Sequence, residues 1–210
     1  MPLRTVTVRV PATTANLGPA FDCMGLALNM YATVSLERAS EFTIDIRGYG
    51  AEKLSRGPDN LVYRSVCSLY RRSGRTPPPL RVRCRNVIPL NRGLGSSAAA
   101  VVGGLVAADA LEGKELSDSE LLDLAVRLEG HPDNVAPALL GGCQVVVVNG
   151  DEVMTSAVPI KRGLRGVIFV PQVEAPTKQA RDLLPANVPR GDAVFNVGRA
   201  AMLVLALSQG

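Results

Sequence analysis

The segment PLNRGLGSSAAA, Pro89–Ala100, constrains this chain more than any other stretch. It follows an alternating run that reads as a strand, Leu80, Val82 and Cys84 continuing after a register change through Val87 and Ile88. It leads into an apolar run over Gly93–Leu111 that reads as a helix. Gly93 and Gly95 allow a tight turn and close approach of backbone to a ligand. Unpaired amides at a helix N-terminus, at the positive end of the dipole, form a ready anion site. Ser96 and Ser97 add hydroxyls that can cap the helix, hold a phosphate or ligate Mg²⁺. On this segment alone, a phosphate site and a plain Ser-capped core helix are equally open. A Walker loop is excluded by the missing lysine. A dinucleotide fingerprint would need a third glycine where Ala98 stands, although Asp109 and Glu112 lie near the acidic position that fold uses.

Two further segments carry candidate chemistry. In PATTANLGPAFD, Pro11–Asp22, Pro11 is expected to end the strand marked by Val6, Val8 and Val10, and Ala12–Asp22 reads as a small, polar loop. Asn16 and Asp22 within it suit an ammonium or hydroxyl ligand, or simple turn stabilisation. EGHPDNVAP, Glu129–Pro137, places Glu129 at a helix C-terminus, where the dipole disfavours an anion and a metal could justify one. Asp133 and Asn134 open a short helix to Leu140 and could be caps. His131 is the only histidine of the chain.

The remaining pattern is mixed. Strands are expected at Met30–Leu36, Phe42–Arg47, Gln144–Val148, Val153–Val158 and Gly166–Val170, with a hairpin at Asn149-Gly150. Helices are expected at Asn60–Ser73, after a capping box at Ser117–Glu120, at Ala175–Leu184 and at Val194–Ser208. With strands clustered early and helices interspersed later, the class is α+β.

Composition excludes a few roles. A net charge of +4, with arginines scattered rather than clustered and no interleaved aromatics, argues against a nucleic-acid partner. The four cysteines form no CxxC pair, so zinc and a disulfide framework are not expected and buried reduced thiols are. The N-terminus lacks the apolar core of a signal peptide, and the apolar runs at Val101–Ala108 and Val145–Val148 are too short to span a bilayer. A cytoplasmic protein without a membrane partner is the expectation.

Together, PATTANLGPAFDCMGLAL, PLNRGLGSSAAAVVGGL and EGHPDNVAPALLGG, in that order, resemble the galactokinase–homoserine kinase–mevalonate kinase–phosphomevalonate kinase (GHMP) superfamily. The wording of the first and third segments resembles its homoserine kinase branch. The resemblance implies a two-domain α+β GHMP kinase fold whose N-terminal part is like ribosomal protein S5 domain 2. Residues 1–160 would form that N-terminal domain, binding ATP and substrate. Residues 161–210 would begin a ferredoxin-like C-terminal domain, incomplete because family members continue past Gly210. The apolar face of Ala201–Leu207 would then be exposed and favour self-association.

The implied reaction is ATP-dependent phosphorylation of L-homoserine to O-phospho-L-homoserine in threonine biosynthesis, with Mg²⁺. The alternative is a catalytically silent, truncated remnant that binds nucleotide or homoserine without turnover. By the resemblance, Asn16, Asp22, His131 and Arg181 would bind substrate, and Asn134 would contact the reacting hydroxyl beside Asp133, a candidate base. Ser97 and Glu129 would ligate Mg²⁺. ATP would lie against Asn60 and Val62 at the adenine and against Pro89, Leu90, Asn91, Arg92, Gly93, Leu94, Gly95, Ser96, Ser97, Ala98 and Ala99 at the phosphates. Family members are often homodimers.

Overall fold

The computed structural model describes residues 4–150, 152–170 and 183–209. Its centre is a mixed sheet ordered β3-β4-β2-β5-β6, with β1 paired to β2. The strands are β1 (Thr5–Leu17), β2 (Ala20–Arg38), β3 (Thr43–Gly48), β4 (Leu80–Asn86), β5 (Cys143–Asn149) and β6 (Glu152–Val158). Strand β2 is 19 residues long and carries β1 along one edge. Its other edge takes β4 at Thr33–Arg38 and β5 at Met24–Leu26. Only the β3–β4 pair is parallel among the pairings of the described residues. That pattern removes the dinucleotide-fold alternative, which needs an open and mostly parallel sheet.

Five helices complete the described fold: α1 (Leu61–Arg72), α2 (Ser96–Glu112), α3 (Asp118–Glu129), α4 (Val135–Leu140) and α5 (Arg190–Gln209). Helix α2 is apolar all round because it is buried all round, with Val101, Val102, Leu105 and Leu111 almost inaccessible. Two adjacent glycines let it sit that deeply. A Cβ on Gly103 would lie 2.7 Å from Val34 Cγ2 of the sheet, and one on Gly104 2.5 Å from the Val62 carbonyl oxygen of α1. The capping box at α3 is present, with Ser117 and Glu120 exchanging side-chain-to-backbone bonds.

Several expectations are corrected. Pro11 does not end β1. It sits at a register shift in the β1–β2 ladder, where a residue without an N–H is tolerated. The segment expected as a loop, Ala12–Asp22, is strand up to Leu17 and again from Ala20, closed by a tight hairpin. Val87 and Ile88 lie beyond β4, and α2 starts at Ser96 rather than Gly93, because the preceding loop residues take left-handed conformations that no helix can hold. Gly166–Val170 is not a strand; no partner strand reaches it among the described residues, and an apolar run without pairing does not make a sheet. The helix expected at Ala175–Leu184 lies mostly outside the described residues. Of the four cysteines, Cys143 is buried and Cys23, Cys67 and Cys84 are half-buried, all as free thiols.

Helix α5 is 20 residues long with none of them buried, and by length and composition alone it could cross a bilayer. It is not bare on all sides. Leu203, Val204 and Leu207 pack against a small cluster of Ala20, Met24, Cys143 and Val158, and the Lys161 N–H donates to the Leu207 carbonyl at 2.9 Å. Phe195, Val197, Met202 and Leu205 stay exposed, so the expected open face covers only part of Ala201–Leu207.

Candidate active site

A cavity of about 420 Å³ opens at the N-terminus of α2. The loop Pro89–Gly95 forms one wall, with Asn91, Gly93 and Gly95 all at positive φ, 54°, 68° and 65°. Three left-handed residues in five turn successive backbone N–H groups to one side, the arrangement of an anion-binding nest. Gly95 opens α2 with no side-chain cap, so the first amides of a 17-residue helix face the cavity unsatisfied by any cap.

The wall opposite is built from the α3–α4 connection. Glu129, the last residue of α3, accepts a short hydrogen bond from the Ser97 hydroxyl across the cavity. This joins the two residues expected at a metal, although they are 32 positions apart. Among the described residues no group of three or more Asp, Glu, His or Cys side chains could hold a metal by itself. A single carboxylate and a hydroxyl fit an octahedral Mg²⁺ that keeps waters and takes phosphate oxygens as its other ligands.

His131 and Asn134 also line the cavity. Asp133 lies just behind them, 1 % exposed. Its Oδ1 accepts the Asn134 backbone N–H at 2.9 Å, is reached by the Asn134 side-chain N–H at 3.4 Å, and lies 3.3 Å from His131 Nδ1. Its Oδ2 is buried and has no hydrogen-bond partner among the described residues. A buried carboxylate oxygen in that state is one that a bound donor can satisfy. The connection approaches β2 closely, since a Cβ on Gly25 would lie 1.9 Å from the Asp133 carbonyl oxygen.

Asn16 and Asp22 meet at the tip of the β1–β2 hairpin, where Asn16 Oδ1 accepts the Asp22 N–H at 3.1 Å. Both have φ of 57°, a left-handed conformation that Asn and Asp tolerate better than other side chains. Neither lines the cavity itself. Burial, followed by the negative charges of Asp22 and Asp133, pushes the Cys23 thiol above its usual pKa. Ala98 is likewise off the cavity wall, because its side chain is buried in the core. Arg181 falls outside the described residues.

Asn60 and Val62 reach the cavity as expected, but the Asn60 side chain is already engaged. Its Oδ1 caps α1 by accepting the Val62 N–H at 3.0 Å, and its Nδ2 donates to the Ser55 carbonyl at 2.7 Å. It shapes the pocket more than it offers bonds to a ligand. Sequence reasoning missed Lys53, Leu54, Ile46 and Asn86 on the same wall, and Thr13 beneath the loop. The first four come from elements that only the sheet brings together. Thr13 stood inside a quoted motif, yet nothing in its identity marked it off from Thr14. Asp109 and Glu112 serve the other end of α2, roughly 20 Å from Ser96. There Asp109 Oδ1 accepts the N–H groups of Glu115 and Leu116, both at 3.0 Å.

A glycine-rich loop of left-handed residues, an uncapped helix N-terminus and a Ser–Glu pair thus lie around one cavity. Residues 60–142, from the cap of α1 to the residue before β5, match the family described as GHMP kinases N terminal domain. The chain is 46% identical over 208 residues to homoserine kinase from Synechocystis sp., covering 97% of this chain and 68% of that protein. It is 48% identical over 202 residues to homoserine kinase from Carboxydothermus hydrogenoformans, covering 96% and 66%. Its structure superposes on the crystal structure of homoserine kinase from Cytophaga hutchinsonii with a TM-score of 0.83 at 29% identity, over 98% of this chain and 68% of that one. The chain belongs to the homoserine kinase family of GHMP kinases.

Proposed function

We propose that this chain transfers the γ-phosphoryl group of ATP to the side-chain hydroxyl of L-homoserine, giving O-phospho-L-homoserine and ADP. The observation that carries the reading is the convergence, around one cavity, of the anion-binding loop, the Ser97–Glu129 pair and Asn134. ATP would lie with its phosphates on the loop amides from Asn91 to Ser97 and its adenine toward Asn60, Val62 and Asn86. Ser97 and Glu129 would hold Mg²⁺, which neutralises charge on the phosphates. The fit of homoserine rests on the Asp133 Oδ2 left without a partner and on the polar hairpin tip of Asn16 and Asp22, which suit its ammonium group.

In phosphoryl transfer the protein mainly positions reactants and stabilises charge. The homoserine oxygen bonds to the γ-phosphorus as the bond to the bridging oxygen of ADP breaks. Asn134 orients the hydroxyl. The proton passes to the transferred phosphate itself, and Asp133, tied to Asn134 and His131, ranks behind that route as a base. Arg181 would fork onto the substrate carboxylate, a bidentate geometry that lysine does not reproduce. Residues 1–160 would hold the nucleotide and substrate sites and residues 161–210 begin a second domain, a division supported by the end of the sheet at Val158.

A coupled assay of ADP release with ATP, Mg²⁺ and L-homoserine tests the proposal. Release that depends on homoserine and drops at least a hundredfold in Asn134→Ala is expected. Release that ignores homoserine, from folded protein, would overturn it.

A further inference from the structure

Beneath the phosphate loop, Thr13 of β1 is fully buried and makes three separate contacts with the machinery described above. Its backbone N–H donates to the Leu94 carbonyl at 3.1 Å, tying the loop to the sheet. Its Oγ1 donates to Asn134 Oδ1 at 2.8 Å, across 121 positions of chain. That same oxygen occupies the place where a side chain on Gly95 would stand, 1.9 Å from the ideal Cβ.

We propose that Thr13 is a positioning residue that, with Asp133, holds the Asn134 amide in one orientation toward the reacting groups. An asparagine amide has one acceptor oxygen and two N–H donors. With Oδ1 held by Thr13 and one N–H directed at Asp133 Oδ1, the group left for the cavity is the second N–H. A donor there can hold the substrate oxygen and tolerates the negative charge of transferring phosphate oxygens. A flipped amide would aim its carbonyl oxygen at that charge. Asp133 Oδ1, which can only accept, disfavours that flip because a reversed amide would face it with an oxygen, and the Thr13 hydroxyl holds the amide so oriented by donating to Oδ1. The helix-opening glycine is part of the same arrangement, since an ideal Gly95 Cβ would lie 3.2 Å from Asn134 Oδ1. Only glycine leaves Thr13 room to reach Asn134.

The inference rests on the proposed phosphoryl transfer for its kinetic consequence but not for its structural one, so two readouts are used. In ¹⁵N spectra of the full chain, the Asn134 side-chain amide pair is expected to be resolved and slow to exchange. In Thr13→Val, which removes the hydroxyl and keeps the backbone N–H, its exchange should quicken about tenfold or more, the size of one lost hydrogen bond. Thr13→Ser should restore it. Should Thr13→Val not fold, Thr13→Ala removes the same hydroxyl with less bulk. In steady-state kinetics, Thr13→Val should lower kcat about tenfold while the Kd for a fluorescent ATP analogue changes less than twofold. Thr13→Val should add nothing in an Asn134→Ala background. An Asn134 amide whose exchange is unmoved by losing the hydroxyl would overturn the inference, as would a Thr13→Ser variant as impaired as Thr13→Val. Absence of homoserine-dependent turnover in the parent would refute the proposed substrate while leaving the amide readout to decide on Thr13.

Discussion

Gly93 and Gly95 stand two residues apart in the same loop with φ of 68° and 65°, yet their surroundings differ completely. A Cβ on Gly93 would meet nothing within 4 Å, whereas one on Gly95 would lie 1.9 Å from Thr13 Oγ1 and 3.2 Å from Thr13 Cβ. Alanine at either site forces an L side chain into the left-handed region, at about 1–2 kcal/mol. It also reduces the freedom of the unfolded chain, which returns about 0.4–1 kcal/mol in both cases. Gly93→Ala should therefore lower stability by about 1 kcal/mol and leave the loop in place. Gly95→Ala adds a clash about 1.5 Å short of ordinary contact at 3.4 Å. Neither partner can yield easily, because Thr13 is buried in the sheet and Gly95 opens a buried helix. Overpacking of this kind adds about 1–3 kcal/mol. A loop displacement of about 1 Å also costs on the order of a hundredfold in turnover. Urea unfolding, together with the Kd for a fluorescent ATP analogue and kcat, measures both parts. Gly95→Ala should lose about 2–4 kcal/mol and most of its activity, with Gly93→Ala mild in both. Equal effects from the two variants would refute the reasoning, because the steric term distinguishes them.

Three further outcomes are expected. Glu129→Gln should keep the fold but require at least tenfold more Mg²⁺ for half-maximal turnover, read from an Mg²⁺ titration; an unchanged requirement would remove Glu129 from the metal. At the far end of α2, Glu112 accepts bonds from Tyr70 and Arg75 at 2.6 and 3.0 Å and a short one from Arg38. Burial alone would raise its pKa, but the Tyr70 hydroxyl and the two arginines outweigh that and hold it below the usual carboxylate value. A folded pKa below the unfolded one gives stability that is complete above the unfolded value near 4.5 and lost as pH falls through the folded one. Glu112→Gln should flatten that acid limb in urea titrations and cost about 1–3 kcal/mol at neutral pH. Gly104→Ala, with its Cβ driven against the Val62 carbonyl oxygen, should separate α1 from α2 and lower the urea midpoint by an amount equivalent to about 1–3 kcal/mol.

Much of this molecule follows from local sequence. The tight turn at Gly93–Gly95 and the cap of α3 were legible because each depends on residues a few positions apart. A left-handed turn selects glycine, a capping box needs Ser and Glu three apart, and a run of small residues marks a helix that must pack closely. The lengths of β1 and β2 were not legible. Whether PATTANLGPAFD is loop or strand depends on cross-strand pairing, and Pro11 is tolerated only because the ladder shifts register there. The apolar run at Gly166–Val170 misled for the converse reason, since no neighbouring strand is present among the described residues to pair with it. The site divides in the same way. Sequence supplied its parts, but only tertiary packing brought Ser97 onto Glu129 and Thr13 onto Asn134, pairs 32 and 121 positions apart. Hydrogen bonds over such separations leave no periodicity in the chain. They exist because a buried helix, a long hairpin and a short connection are packed closely enough to meet at one glycine.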